Sequence, residues 1–309
     1  MEDMKMRFES LESNMEREPK GREKIETTVI LEFMRHGKKE SDPSKADEDV
    51  RLSPEGRMQA TERGKELSPQ PDVSIAYGSP RKRTQETAGR ILFSGAGIDD
   101  PDLTLENMEE EIEASLKKGE KIREDVRLNF NTSGPVGKAA LEAFKTGRYL
   151  GYLIEESDAQ AVELSDAVST TYMRQAGNVA ELIWKFSKIG GAFNRIASQT
   201  DKYEKYGNQL ERYFGTHLGV AECFVAKALE EVKGQAAKDE FVRSVGSGFA
   251  ETEGVHIEIV NRGTDQTIRM TYGVKDPHNG DRKETIDIGA DVLKKIIEDR
   301  EKFDMQVGA

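Results

Sequence analysis

The chain has 309 residues, enough for one large domain or two small ones. Charged residues make up 34% and the net charge is -12, which excludes a general nucleic-acid binder, since phosphate backbones are held by surplus Lys and Arg. The single cysteine, Cys223, excludes an intramolecular disulfide and a cysteine-based metal cluster.

Residues 1–26 are charged almost throughout and lack the apolar core of a secretory signal, so they read as a flexible N-terminal tail. No stretch approaches the roughly 18 apolar residues of a membrane span. The expectation is a cytoplasmic protein with no membrane partner. The first firm element is "TTVILEFM", Thr27 to Met34. Val29, Leu31 and Phe33 point one way and Ile30 and Met34 the other, as in a strand covered by helices on both faces. Glu32 breaks the pattern and is expected to mark a sheet end.

"KKESDPSKADEDVR" is a polar loop. "LSPEGRMQATERGKEL" follows as a helix with Ser53 as N-cap and Pro54 in the first helical position. "DVSIAYGSP" reads as a second short strand, and "RKRTQETAGRILF" as a helix opened by Ser79 and Pro80 in the same style. Strand, helix, strand, helix predicts an α/β fold, a three-layer sandwich with a mostly parallel central sheet.

From about 103 to 200 the chain is rich in Glu and Lys and helical in pattern. "LENMEEEIEASLKKGEKI" reads as one charged helix and "TYMRQAGNVAELIWKFSKI" as an amphipathic one, with "NFNTSGPVGK" as a break between helices. This region is expected to be a helical insertion or cap on a single α/β domain spanning 27–309. The α/β pattern then returns. A short strand is expected around Tyr213 and Phe214, with charge at Glu211 and Arg212. "VAECFVAKALEEV" is an amphipathic helix, "GVHIEIVN" and "QTIRMTYGV" form a hairpin, and "ADVLKKIIEDREKF" closes as a helix.

Arg35, His36 and Gly37 stand just past the end of the first strand, the edge of an open α/β sheet where ligands bind. Gly37 lets the backbone turn. Arg35 offers a planar fork for phosphate oxygens. His36 is a nucleophile when one of its nitrogens is free. Arg83 falls in the first turn of a helix, where free backbone N–H groups also favour an anion. His217 occupies the same kind of strand-end turn as His36. His256 lies inside an alternating strand and reads as structural, and His278 in "DPHNG" reads as surface. Cys223 sits on an apolar helix face and reads as core. "GPVGKA" lacks the first glycine and the final Ser or Thr of a phosphate-binding loop.

Four blocks in order, "FMRHG", "LSPEGRMQA", "SPRKRTQETA" and "THLGV", resemble the histidine phosphatase superfamily, also called phosphoglycerate mutase-like. Leu52, Ser53, Gly56, Gln59 and Ala60 match its second block, and Ser79, Pro80, Arg83, Thr87 and Ala88 its third. The resemblance covers roughly 27–92 and 210–232. It implies that His36 attacks phosphorus and becomes a phosphohistidine, while Arg35, Arg83 and His217 surround the phosphoryl oxygens. It implies no metal and no other cofactor. A proton donor is also implied: Leu218 follows His217, so the acid is sought after the second arginine, where Glu106 has the best position and Glu109 or Glu110 comes next. The expected activity is phosphatase action on a small-molecule phosphomonoester. The alternatives are mutase-type phosphoryl transfer and a phosphate-binding protein without turnover.

Overall fold

The computed structural model describes residues 25–116, 121–274 and 281–308. Most of the N-terminal tail, His278 and the side chain of Glu109 lie outside the described residues. Among those described, seven strands form one sheet in the order β3-β2-β4-β1-β5-β6-β7. The strands are β1 (Glu26–Arg35), β2 (Ser74–Gly78), β3 (Ile122–Glu124), β4 (Gln209–Thr216), β5 (Gly254–Arg262), β6 (Asp265–Val274) and β7 (Arg282–Asp287). The pairs among β3, β2, β4 and β1 are parallel. The β1–β5, β5–β6 and β6–β7 pairs are antiparallel, so the sheet is parallel on one side of β1 and a meander on the other.

The two-faced pattern of β1 builds the three layers. Val29, Leu31 and Phe33 join a core with Val179, Ile183 and Phe186 of α7 (Tyr172–Ala197) and with Phe224 of α8 (Val220–Lys233). On the other face Met34 packs with Tyr213 and with Ile91 of α2 (Lys82–Gly95). Ala76 of β2 meets Ala88 and Leu92 of α2 and Met108 of α3 (Leu105–Leu116). Each buried Leu, Ile or Phe of this kind is worth about 1.5–3 kcal/mol over exposure. Phe214 stacks on Phe33 at a centroid separation of 4.3 Å and on Tyr77 at 5.0 Å, pinning β1, β4 and β2 side by side.

Several local expectations change. Glu32 does not end a sheet. It is buried in mid-strand, where Nδ1 of His256 approaches its Oε1 at 2.6 Å and Arg63 lies at 3.9 Å. The strand before His217 is eight residues long, and its charges are inside. Glu211 accepts hydrogen bonds from the Gln70 N–H at 2.8 Å and the Tyr213 hydroxyl at 3.0 Å, and Arg212 donates to the Val73 carbonyl at 3.0 Å. Buried charge is tolerated there because each group has polar partners. The segment expected as one helix to residue 122 is helical over Leu105–Leu116, residues 117–120 lie outside the described residues, and Ile122–Glu124 joins the sheet edge beside β2.

The rest of 103–200 holds a short 3-10 turn at Val126–Leu128, α4 (Pro135–Lys145), α5 (Tyr149–Glu155), α6 (Ser157–Glu163) and α7. The last of these is a layer helix on β1 and β5. Two further regular elements near the chain's end were not anticipated. They are β7, whose alternation is masked by exposed charges, and α9 (Gln235–Val245), which follows α8 after Gly234 with φ +88°. α1 (Pro54–Leu67) lies against α2, and α10 (Ala290–Val307) packs on α7 and α8. Among the described residues no helix is long and apolar enough to cross a membrane.

Candidate active site

Parallel pairing brings the candidate residues together. Arg35 is opposite Thr216 in the β1–β4 register, and the His36 N–H donates to the Thr216 carbonyl at 2.9 Å. The two strands therefore end in step and their next residues, His36 and His217, share one edge. The ring centroids are 5.3 Å apart at 73°. On the far side of β4, Gly78 pairs with Gly215, so Ser79 and the start of α2 arrive at the same edge. The carboxyl ends of three adjacent strands form the site, as the general rule for open α/β sheets requires.

The turn after β1 is locked by α1 and α2. The Gly37 N–H donates to the Thr87 hydroxyl at 3.2 Å, and the Lys38 N–H to Oε1 of Gln59 at 2.8 Å. Ser53 caps α1 by accepting from the Gly56 N–H at 3.1 Å, and its own N–H and hydroxyl both donate to the Lys38 carbonyl. A Cβ on Gly37 would lie 2.6 Å from the Gly56 carbonyl oxygen, and one on Gly56 would lie 2.0 Å from that of Lys38. Both glycines are needed for this backbone-to-backbone approach. The second sequence block thus acts by clamping the turn that carries His36.

His36 is half-buried, and its Nδ1 lies 2.7 Å from the Gly37 carbonyl. A carbonyl only accepts, so Nδ1 carries the proton and Nε2 carries the lone pair. Nε2 accepts from Nε of Arg83 at 3.3 Å. Desolvation by the surrounding protein, then the charges of Arg83, Arg35 and Lys39, hold the imidazole pKa down to about 3 against the opposite pull of the Gly37 carbonyl. The ring is neutral across the physiological range, with its lone pair on Nε2.

Arg35 donates from Nη1 to the Phe249 carbonyl at 2.9 Å, and its buried Nε has no hydrogen-bond partner. Arg83 is the second residue of α2 and is almost wholly buried. Its Nη1 donates to the Asp47 carbonyl at 2.6 Å and its Nη2 to Oδ2 of the Asp47 carboxylate at 3.1 Å. His217 is buried and its Nε2 lies 2.9 Å from the Ser79 hydroxyl, while its Nδ1 has no partner. Burial, then the fields of His36, Arg83 and Arg81, lower its pKa well below the ordinary value, so it too is neutral. Its ring meets that of Phe130 in a T-shaped contact with the centroids 4.7 Å apart.

Ser79 does not cap α2 as expected. The helix starts at Lys82, and the Ser79 hydroxyl is spent on His217 and on the Arg81 N–H at 3.1 Å. Arg81 was a further cation in a basic run; in the fold its guanidinium lies 4.0 Å from the Phe130 ring centroid, donates to Oδ1 of Asn129 at 3.1 Å, and pairs with Asp47. The polar loop after β1 supplies Lys39, whose Nζ lies 3.4 Å from Oδ1 of Asp47. Neither Asp47 nor Phe130 carried any sequence signal, since both lie in loops without periodicity.

Glu106 is not brought to this group. It sits exposed in the first turn of α3 and pairs with Arg51. The side chain of Glu110 is also exposed. Cys223 is buried in the core, where desolvation pushes its thiol pKa well above the ordinary value, so it is no nucleophile at neutral pH.

Residues 31–122 match the family model described as histidine phosphatase superfamily (branch 1). No curated protein matches the chain. Among solved structures, a mycobacterial glucosyl-3-phosphoglycerate phosphatase is similar at 14% identity, with 76% of this chain and 91% of that one covered and a TM-score of 0.41. A phosphoglycerate mutase from Bacillus anthracis is similar at 16% identity, with 78% and 92% covered and a TM-score of 0.38. Likenesses at this level decide nothing about the reaction.

Proposed function

We propose that this chain belongs to the histidine phosphatase superfamily, whose model matches residues 31–122, and that it hydrolyses a phosphomonoester through a phosphohistidine on His36. The observation that carries the reading is the fixed tautomer of His36, with its proton spent on Gly37 and the lone pair on Nε2, where it faces Nε of Arg83. Nε2 attacks phosphorus, the N–P bond forms as the ester P–O bond breaks, and the leaving oxygen takes a proton from solvent water. Water then attacks phosphorus and returns a proton to solvent, the N–P bond breaks, and Nε2 regains its lone pair as inorganic phosphate leaves.

There is little covalent work for other side chains in phosphoryl transfer, so positioning and charge dominate. Arg83 and Arg35 neutralise the equatorial oxygens. The unpartnered Nε–H of Arg35 is a buried donor of the kind an oxyanion satisfies. Neutral histidines suit this task, because a protonated His36 has no electrons to offer.

The test is turnover of p-nitrophenyl phosphate with EDTA present, in wild type and in His36→Ala. Loss of turnover in the variant is expected. Phosphatase activity that survives the substitution contradicts the assignment of the nucleophile. Net isomerisation of a phosphorylated alcohol without release of phosphate would replace hydrolysis by transfer to a second hydroxyl.

A further inference from the structure

We propose that Asp47 is a built-in competitor of the substrate: its carboxylate occupies the cationic position where a phosphoryl group binds, and substrate must displace it. The proposal rests on reading the site as a phosphoryl pocket.

Three cations converge on this one carboxylate. Oδ2 accepts from Nη2 of Arg83 and from Nη1 of Arg81, and Oδ1 faces Nζ of Lys39 at 3.4 Å. Two guanidinium groups and an ammonium on a single small anion is the pattern by which proteins hold phosphate. The Asp47 backbone joins in, because its carbonyl takes Nη1 of Arg83 at 2.6 Å.

Arg83 makes the competition direct. A guanidinium grips two oxygens through either its two Nη groups or its Nε and one Nη. Nε already faces His36 at 3.3 Å, and Asp47 holds both Nη nitrogens. Either bidentate edge therefore includes a nitrogen that Asp47 engages. A phosphoryl group on the His36 side gains Nη2 alongside Nε when the Asp47 carboxylate withdraws, while the Asp47 carbonyl keeps Nη1.

The loop is built to let go at one point. Its base is fixed by the Lys39–Leu52 bridge and by the Glu40 N–H donating to the Arg51 carbonyl at 3.0 Å. Its far side is tied to α2 through the Lys82 N–H on the Glu48 carbonyl at 3.0 Å and the Lys82–Asp49 pair at 3.1 Å. Between these anchors the Asp47 side chain is 45% exposed, so water can receive it when it leaves the arginines. Burial would raise its pKa, but Arg83 and Arg81 overcome that and keep the group ionised and competent as an anion.

The experiment is calorimetric titration of the full chain with inorganic phosphate and with vanadate, in wild type, Asp47→Ala and Asp47→Asn. Asp49→Ala, which removes only the pair with Lys82, serves as control. Asp47→Ala is expected to bind phosphate about tenfold tighter, in keeping with the strength of charge-assisted bonds that no longer need breaking. Asp47→Asn should fall between it and wild type, and Asp49→Ala should match wild type. Unchanged or weaker binding in Asp47→Ala overturns the proposal, since it would make Asp47 neutral to the anion or an organiser of the arginines. No detectable binding in any of the four proteins overturns it equally. Turnover of p-nitrophenyl phosphate is read separately. Turnover with no gain in affinity sinks the role of Asp47 and leaves the phosphatase reading intact. A gain in affinity with no turnover sinks the phosphatase reading and leaves the competition intact.

Discussion

His36 and His256 sit on neighbouring strands of one sheet and have opposite chemistry. His36 stands at the end of β1, its nearest charges are arginines and a lysine, and its pKa falls to about 3. His256 stands within β5, opposite Glu32 in register. Burial alone would lower its pKa, but the Glu32 hydrogen bond raises it above 6.5, with Glu258 adding to the rise and Lys283 opposing it. Strand position decides the difference. A strand end opens to loops and helix starts that deliver Arg83 and Lys39, whereas mid-strand neighbours are fixed by the ladder. The same side chain becomes a neutral nucleophile in one place and half of an ion pair in the other.

The comparison breaks most visibly in turnover. His36→Ala should lower kcat by roughly 10³-fold or more, as loss of a covalent nucleophile does, while His256→Gln should leave kcat within about twofold. Steady-state rates on p-nitrophenyl phosphate check both, and comparable losses in the two variants would erase the distinction. Next in size is Arg83→Ala, expected to cost roughly 10²–10³-fold in kcat/KM with the melting temperature little changed, since it removes charge stabilisation at the reacting oxygens. A loss matched by a fall in melting temperature would make Arg83 a folding residue instead.

The structural pair gives a smaller and different signal. Glu32→Gln should destabilise by about 1–3 kcal/mol, the cost of weakening a buried charged hydrogen bond. The His256 pKa is raised on folding, so its contribution is full below the unfolded value near 6.5 and is lost as pH rises through the folded value. Denaturant melts should therefore show wild type losing stability relative to His256→Gln as pH goes from 6 to 8. Parallel curves would remove the linkage. The smallest effect belongs to Glu106→Gln. With its side chain exposed on Arg51, kcat on an alkyl phosphate should stay within about twofold. A large fall specific to poor leaving groups would return Glu106 to the role of proton donor that its sequence position suggested.

What could be read in advance follows the same division. Arg35, His36, Arg83 and His217 were legible because each sits at a strand end or helix start marked by Gly, Ser or Pro. The alternation of Val29, Leu31 and Phe33 against Met34 gave the layers. Asp47 was not legible, since a carboxylate in "KADEDV" looks like any solvated acid until the loop folds back on Arg83. Glu106 was chosen by position along the chain, and in the fold its exposed side chain pairs with Arg51 while Leu105 and Met108 of the same turn face the core. Glu211 and Arg212 looked like a weak strand because a sequence shows charge but not its partners on β2 and in the loop before it.

The central claim is that phosphate passes through Nε2 of His36, and trapping the phosphoenzyme tests it most directly. The protein is mixed with a ³²P-labelled phosphomonoester, quenched in alkali within the first turnover, and digested. The label is predicted to survive base, to be lost in acid, and to map to the peptide carrying His36. Label that resists acid, or that maps to His217 while His36→Ala still incorporates it, contradicts the account.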